Sequence, residues 1–369
     1  MLFFKNNITV GVKLVSTEKG ILEKHQNYTS EKLLFGIVLG VLLILLAMYS
    51  IVVGPVKIPI TEVIATLLGS DVGNSYTIIW NIRLPRVLAA ILAGMGLSIA
   101  GAAMQSVLKN PLGSPYTLGI SQAAAFGAAF SIVFLRAGAL HSTSADAVIL
   151  NNPYLTTISA FFWALISVGV IIIITKYKNA DPETMILAGV ALGSLFTAGT
   201  TAIQYFANDV EVAAIVFWTF GDLGRVSWND LLIMSIAVIP ASIYFIRNSW
   251  NYSALASGQE TAKSLGVDVE KIRLYGMLVS SFVTALIVSF VGIIGFVGLV
   301  APHIVRKIIG GEERYLMPAS CLVGSLLLLA SDTAARTVIS PIVLPVGILT
   351  SFLGAPLFIY LVLKGRRYW

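Results

Sequence analysis

Four stretches of this chain run for a full membrane thickness without one charged side chain: Leu33–Val53, Val87–Leu108, Tyr154–Thr175 and Thr184–Asn208. A helix needs about 20 apolar residues to cross the hydrocarbon core. Inside lipid, backbone polar groups must be satisfied within helices or closed barrels. Runs of this length predict spanning helices, and the remaining apolar sequence reads in the same way. Leu231–Ile246 predicts a shorter span. Ser114–Leu135 also lacks charge, but Pro115 and Gly119 near its start predict a loop and then a short helix from about Ile120. Leu274–Val305 is too long for one span; Gly292, Gly295, Gly298 and Pro302 predict a full helix followed by a half-span. Met317–Arg336 and Val346–Leu363 bring the expected number to ten.

The expected fold is therefore all-α and polytopic: one ten-helix domain over residues 33–369, preceded by a polar tail, residues 1–32. The first apolar run exceeds the core of about 7–15 residues found in a signal peptide, so it is expected to remain as a helix. Composition agrees, with 57% apolar and 11% charged residues. Soluble domains carry about 25% charge, and a chain this poor in it needs lipid to cover much of its surface. A net charge of +6 would suit nucleic acid, but the basic residues sort by loop instead. With ten spans, 18 Lys and Arg fall on the side of the two termini and six on the other. Cytoplasmic loops are the basic ones, which predicts both termini inside and a bilayer rather than nucleic acid as the partner.

Several kinds of chemistry find no support. No Gly-x-x-x-x-Gly-Lys-Ser/Thr run is present, so the chain has no phosphate-cradling loop of its own. No loop has room for a soluble catalytic domain. Cys321 is the sole cysteine, and His25, His141 and His303 are too scattered to share a metal, so neither cofactor nor metal centre is expected. The spans hold almost none of the ionisable residues that ion-coupled carriers keep near the midplane. A pathway without a built-in energy source implies an external motor. Tyr76, Trp80, Trp163, Trp228, Trp250 and Trp369 fall mostly near span ends, as interfacial aromatics do.

Longer motifs add a family. Arg83-Leu-Pro-Arg86, the segment Ala93–Gln105 and Asn110-Pro-Leu-Gly-Ser-Pro115 closely resemble the iron-siderophore, haem and cobalamin permeases of bacterial ATP-binding-cassette importers. So do Leu187–Gly193, Gly295–Arg306 and Leu344–Phe358, in the same order, over roughly Leu33–Arg367. The resemblance implies a type II ABC importer permease in the cytoplasmic membrane. Its implied partners are a second permease, identical or paralogous, a cytoplasmic ATPase dimer and an extracytoplasmic substrate-binding protein. Its implied cargo is a ferric siderophore, with haem or cobalamin as alternatives. A secondary carrier or a non-transporting scaffold are the readings from other classes.

The resemblance also implies sites. The basic loop Arg247–Arg273 would hold the ATPase coupling element: Leu255, Ala256, Ser257, Gly258, Gln259, Glu260, Ala262, Lys263, Leu265 and Gly266, a short helix closed by Gly266. The family often has an acidic residue directly after the glycine; here Gln259 stands there and Glu260 follows. Arg83, Arg86 and Arg336, with Arg225 as a further contributor, would meet acidic residues of the binding protein. Asp332 lies four residues before Arg336, which equally permits a local salt bridge. Gln105 and Asn110 either line a polar route or cap a helix. Ser121 and Gln122 open the short third helix and are pathway candidates. Asp181, Pro182 and Glu183 fall where the family's inner gate lies, or are solvated residues at a helix start. Gly94, Gly96, Gly101, Ala102 and Ala103 give one span a small-residue surface for close helix packing.

Overall fold

The computed structural model describes residues 29–70, 73–137, 152–178 and 182–364. Fourteen α-helices and two short 3-10 turns, Pro115–Leu118 and Leu223–Arg225, occur among these residues. The α-helices are α1 (Thr29–Val52), α2 (Ile60–Leu67), α3 (Asn74–Leu108), α4 (Ile120–Val133), α5 (Pro153–Lys178), α6 (Pro182–Phe206) and α7 (Asp209–Thr219). There follow α8 (Trp228–Arg247), α9 (Ser249–Ala256), α10 (Gln259–Ser264), α11 (Val269–Val291), α12 (Val297–Ile309), α13 (Glu313–Thr337) and α14 (Val346–Lys364). Seven of them (α1, α3, α5, α6, α8, α11 and α13) are long and apolar enough to cross a bilayer. Helices α4 and α12 are the expected short helix and half-span, and α14, expected as a span, is a further shorter apolar helix; with them the set reaches ten.

Some boundaries differ from the sequence reading, and each has a local cause. Helix α1 begins at Thr29, so part of the expected tail is helical; residues 1–28 lie outside the described set. The break after α11 falls at Gly292–Phe296, where Gly292 and Phe296 take left-handed backbone. Gly298 and Pro302 were expected to share in that break but lie inside α12. Helix α7 was not expected. A capping box opens it, with Asn208 and Glu211 each accepting from the other's N–H, and it buries Ala214, Ile215 and Trp218.

Helix α3 is the axis of the bundle. From Leu84 to Leu108 almost every residue is buried, against α13, α11, α12 and α8. After one α-helical turn α3 is π-helical over Ile78–Arg83. Pro85 lacks an N–H for the carbonyl four residues back, and its ring crowds that turn, so the preceding segment widens. The small residues read from the sequence are what allow the close approach. A Cβ on Gly94 would lie 2.4 Å from the Gly324 oxygen of α13, and one on Gly101 only 1.7 Å from the Gly298 oxygen of α12. Lipid supplies no hydrophobic drive between helices, so such backbone contact carries much of the association. The side chain of Ser325 adds a cross-helix hydrogen bond to the Ile91 oxygen at 2.8 Å.

Two ends of the bundle follow from these contacts. The start of α1, the C-terminus of α3 and the start of α13 share one, the tail end. The C-terminus of α1, the Arg83–Arg86 segment and the C-terminus of α13 share the other, the arginine end.

Packing this close predicts a sharp contrast between glycines. Gly101→Ala should destabilise the purified protein by roughly 1–3 kcal/mol, the usual cost of overpacking. Gly36→Ala, on α1 with nothing within 4 Å, should leave it unchanged or slightly stabilised. Thermal unfolding of both variants in detergent checks the order; equal midpoints would sink the account of α3.

Candidate functional site

At the arginine end three guanidinium groups converge. Arg83, from the π-helical turn, donates to the oxygens of Ile51 at 2.8 Å and Val52 at 2.6 Å, and also to that of Val56. Arg336, near the C-terminus of α13, donates to Ser50 O at 3.2 Å, Val53 O at 3.1 Å and the Ser50 hydroxyl. The last carbonyls of a helix have no intrahelical donor and carry the negative end of its dipole. Two arginines from neighbouring helices thus cap α1. Between them Asp332, wholly buried, receives Arg336 Nε at 3.0 Å and Arg86 Nε at 2.8 Å. Arg86 also lies 3.6 Å from Asp222, in the turn after α7.

This geometry bears on the residues expected to meet a binding protein. Arg83, Arg86 and Arg336 are all buried and donate inward. Arg336 adopts the local pairing with Asp332 that its spacing permitted. Arg225, in the turn Leu223–Arg225, is largely covered and makes no hydrogen bond or ion pair among the described residues. The α1 carbonyls could not be anticipated as partners, because backbone groups leave no sign in a residue list.

At the tail end the expected single coupling helix is two. Leu255 and Ala256 end α9; Gly258, in left-handed backbone, separates it from α10. Gly266 closes α10 as expected. Its N–H reaches the Lys263 oxygen and that of Val267 the Ala262 oxygen, both at 3.0 Å, a Schellman pair. Leu255, Ala262 and Val269 form a small private core. Gln259, Glu260, Lys263 and Leu265 face outward, Leu265 with 67% of its surface exposed. The segment is anchored by Tyr252, fully buried beside Phe245, with Gly276 opposite: a Cβ there would meet the tyrosine oxygen at 2.8 Å. Burial pushes the Tyr252 hydroxyl pKa up.

Beside this anchor lies a buried polar cluster that the sequence reading missed. Ser106 donates to Glu313 at 2.7 Å, and Arg306 lies 3.8 Å from the same carboxylate oxygen. Arg306 also donates to Gln105 at 2.9 Å, and Gln105 to the Leu299 oxygen at 3.3 Å. Gln105, a pathway candidate, therefore ties α3 to α12 inside the protein. Lys32 of α1 pairs with Glu312 at 2.8 Å on the same side. The only available signal was Arg306 and Glu313 flanking a Gly-Gly turn.

The other pathway candidates line two cavities that share Tyr116 and Thr117. One, of about 540 Å³, receives Ser121, Thr219, Thr284 and Ser351. The second, about 910 Å³, is bounded by Asn110, Gln122, Ser194 and Thr197 and lies along α6. Asn110 also accepts from the Leu112 N–H at 2.8 Å, so it closes the turn after α3 as well. Ser121 is buried, and the Gln122 side-chain oxygen is buried without a hydrogen-bond partner. Neither wall carries a charged residue. Pro182 and Glu183 open α6, with Glu183 exposed; Asp181 lies outside the described residues.

Residues 42–364 match the model of the FecCD transport family. A protein of Methanocaldococcus jannaschii, provisionally named an ABC transporter permease, is 55% identical over 93% of this chain and 98% of its own length. The haemin transport system permease of Yersinia pestis is 34% identical over 91% of this chain and 97% of its own. Among solved structures, an inward-facing transporter provisionally described as metal-chelate type superposes with a TM-score of 0.76. It is 28% identical and covers 89% of this chain and 98% of its own.

The capping role of the arginines predicts their mutational behaviour. Arg83→Met and Arg336→Met should each cost about 1–3 kcal/mol, as buried carbonyls lose their donors. Arg225→Met should stay within about 0.5 kcal/mol of the parent. Denaturation in detergent reads all three; unchanged stability in the first two would refute the cap.

Proposed function

We propose, from the premise that this chain belongs to the FecCD transport family, that it passes an intact iron chelate, by default a ferric siderophore, through a neutral pathway. As a member it is the non-catalytic permease subunit of an ABC transporter, a multi-pass membrane protein of type II importer fold. The observation that carries the cargo reading is the charge-free lining of both cavities. A bare ferric ion is a hard cation that calls for carboxylate or other anionic oxygen ligands. Hydroxyls, two amides and apolar walls suit an ion whose coordination is already filled. Haem is the second reading, favoured by the Yersinia pestis relative; cobalamin is the third.

In this reading the tail end is cytoplasmic and the arginine end faces out. ATPase subunits grip α10 through Gln259, Glu260, Lys263 and Leu265. Tyr252 passes their movement to the ends of α3 and α11. A second permease covers the second cavity and the exposed apolar face of α6, where Leu187, Val190 and Leu195 are uncovered. Asn110, Ser121 and Gln122 then line the route between two subunits, with Pro182 and Glu183 near its inner mouth. The binding protein contacts the rim formed by Arg225 and Asp222. Arg86 lies behind that rim, and Arg83 and Arg336 hold it from within.

Two experiments test this. Proteoliposomes holding the permease, its ATPase and its binding protein should take up radio-iron siderophore in an ATP-dependent manner, and haemin or cobalamin poorly. Preferential uptake of either competitor would replace the cargo, and uptake without nucleotide would overturn the importer. Separately, Glu260→Lys with Leu265→Asp should abolish ATPase co-purification while thermal stability is retained. Full recovery of the ATPase would move the coupling site elsewhere.

A further inference from the structure

Helix α2 turns its apolar face away from the protein. Val63 and Thr66 are buried, while Ile60, Ile64, Leu67 and Leu68 are 61%, 53%, 41% and 80% exposed. Spacings of four, seven and eight residues put these four on one face. A water-facing helix built on a hydrophobic bundle would present the opposite pattern. The inner face is fixed by polar contacts as well. Trp80 donates its indole N–H to the Thr66 oxygen at 3.2 Å, and Ser75 donates to Glu62 at 2.6 Å.

The depth of α2 follows from the helices beside it. Helix α8 has 20 residues, and at 1.5 Å per residue it is about 30 Å long, the thickness of the hydrocarbon core. Trp228, its first residue, therefore sits at one boundary of that core. From there a continuous exposed stripe of Leu232, Ile236, Ile239 and Ile243 runs down α8 along the lipid face. The Trp228 indole donates to the Trp80 oxygen at 2.9 Å, and the two rings lie 6.1 Å apart, with Tyr76 next to Trp80 at 6.3 Å. Trp80 in turn holds Thr66. Three aromatic rings of the kind that gather at headgroup level thus carry α2 to the same depth.

We propose that α2 is an interfacial helix, its Ile60–Ile64–Leu67–Leu68 face seated in phospholipid at the boundary between headgroups and acyl chains. The occupant is lipid rather than protein because the face continues the lipid-facing stripe of α8 through the Trp228–Trp80 pair. Lys57, exposed just ahead of α2, lies where its ammonium can reach lipid phosphates. Such a helix would fix the height of the α1–α3 connection, and with it the α1 carbonyls held by Arg83.

Nitroxide labels on cysteines placed at Ile64 and Leu68 test the proposal in full-length protein reconstituted in phosphatidylcholine–phosphatidylglycerol vesicles. The native Cys321 is buried, and the unsubstituted chain serves as its labelling control. Collision with oxygen should exceed collision with a water-soluble nickel chelate at both sites, approaching the ratio for a label at Ile236. A label at Glu260 should show the reverse. Chelate-dominated collision at Ile64 and Leu68 would place α2 in water. Low accessibility to both agents would mean that a second copy covers it. Either result overturns the proposal.

Discussion

Everything in this structure is arranged around one close contact: α3 meets its neighbours backbone to backbone. At Gly94 and Gly101 there is no room for a methyl group. In lipid the apolar side chains gain little by leaving their solvent, so helices adhere through packing and hydrogen bonds. A helix wholly surrounded by others has to be narrow where they cross. The Ala and Gly content of Ala93–Ala103 supplies that narrowness, while the broad side chains of α1 and α8 remain on the outside, where lipid accepts them.

Among the described residues, charge gathers at the two ends. At the arginine end the excess of guanidinium over carboxylate is absorbed by the α1 carbonyls. Arginine can serve there because its five donors form a fixed fork and its charge persists when buried. At the tail end Glu313 sits in the first turn of α13, where the helix dipole favours a carboxylate, with Ser106 and Arg306 beside it. Each charge of these two clusters thus has a helix terminus or an opposite charge at hand. The stretch between the ends stays neutral, and both cavities open there.

Hydropathy made the spans legible, because membrane thickness sets a length that sequence displays directly. It also displayed Gly266 as a helix stop and the small-residue face of α3. The direction of the arginines was less visible. Arg86 and Asp332 are 246 positions apart, and Arg83 bonds to carbonyls, which no side chain advertises. Helix α7 was hidden because Asn208 and Glu211, which cap it, look like an ordinary polar loop. Gly298 and Pro302 misled in the opposite direction. Glycine and proline usually signal a break, yet Gly298 is needed for its contact with Gly101, and Pro302 is tolerated inside α12.

The two charged clusters share the same pair of helices. Arg86 and Ser106 are 20 residues apart on α3, about 30 Å, and Asp332 and Glu313 stand at nearly the same separation on α13, running the other way. One end is joined by Arg86–Asp332 at 2.8 Å, the other by Ser106–Glu313 at 2.7 Å, and the middle by Gly94 against Gly324. Sliding or tilting α3 against α13 would expose a buried charge in lipid at one end or the other, so the pair behaves as one strut. Any change between outward and inward access has to be taken up by other elements. The break Gly292–Phe296, with left-handed backbone at both of its ends, lies between α11 and α12 and borders the 540 Å³ cavity. It joins α11, against whose tail end Tyr252 of α9 packs at Gly276, to α12, which Gln105 and Gly101 hold against the strut. On the proposed coupling role of α10, movement entering there would reach the cavity wall at a place where the chain has no helix to resist it.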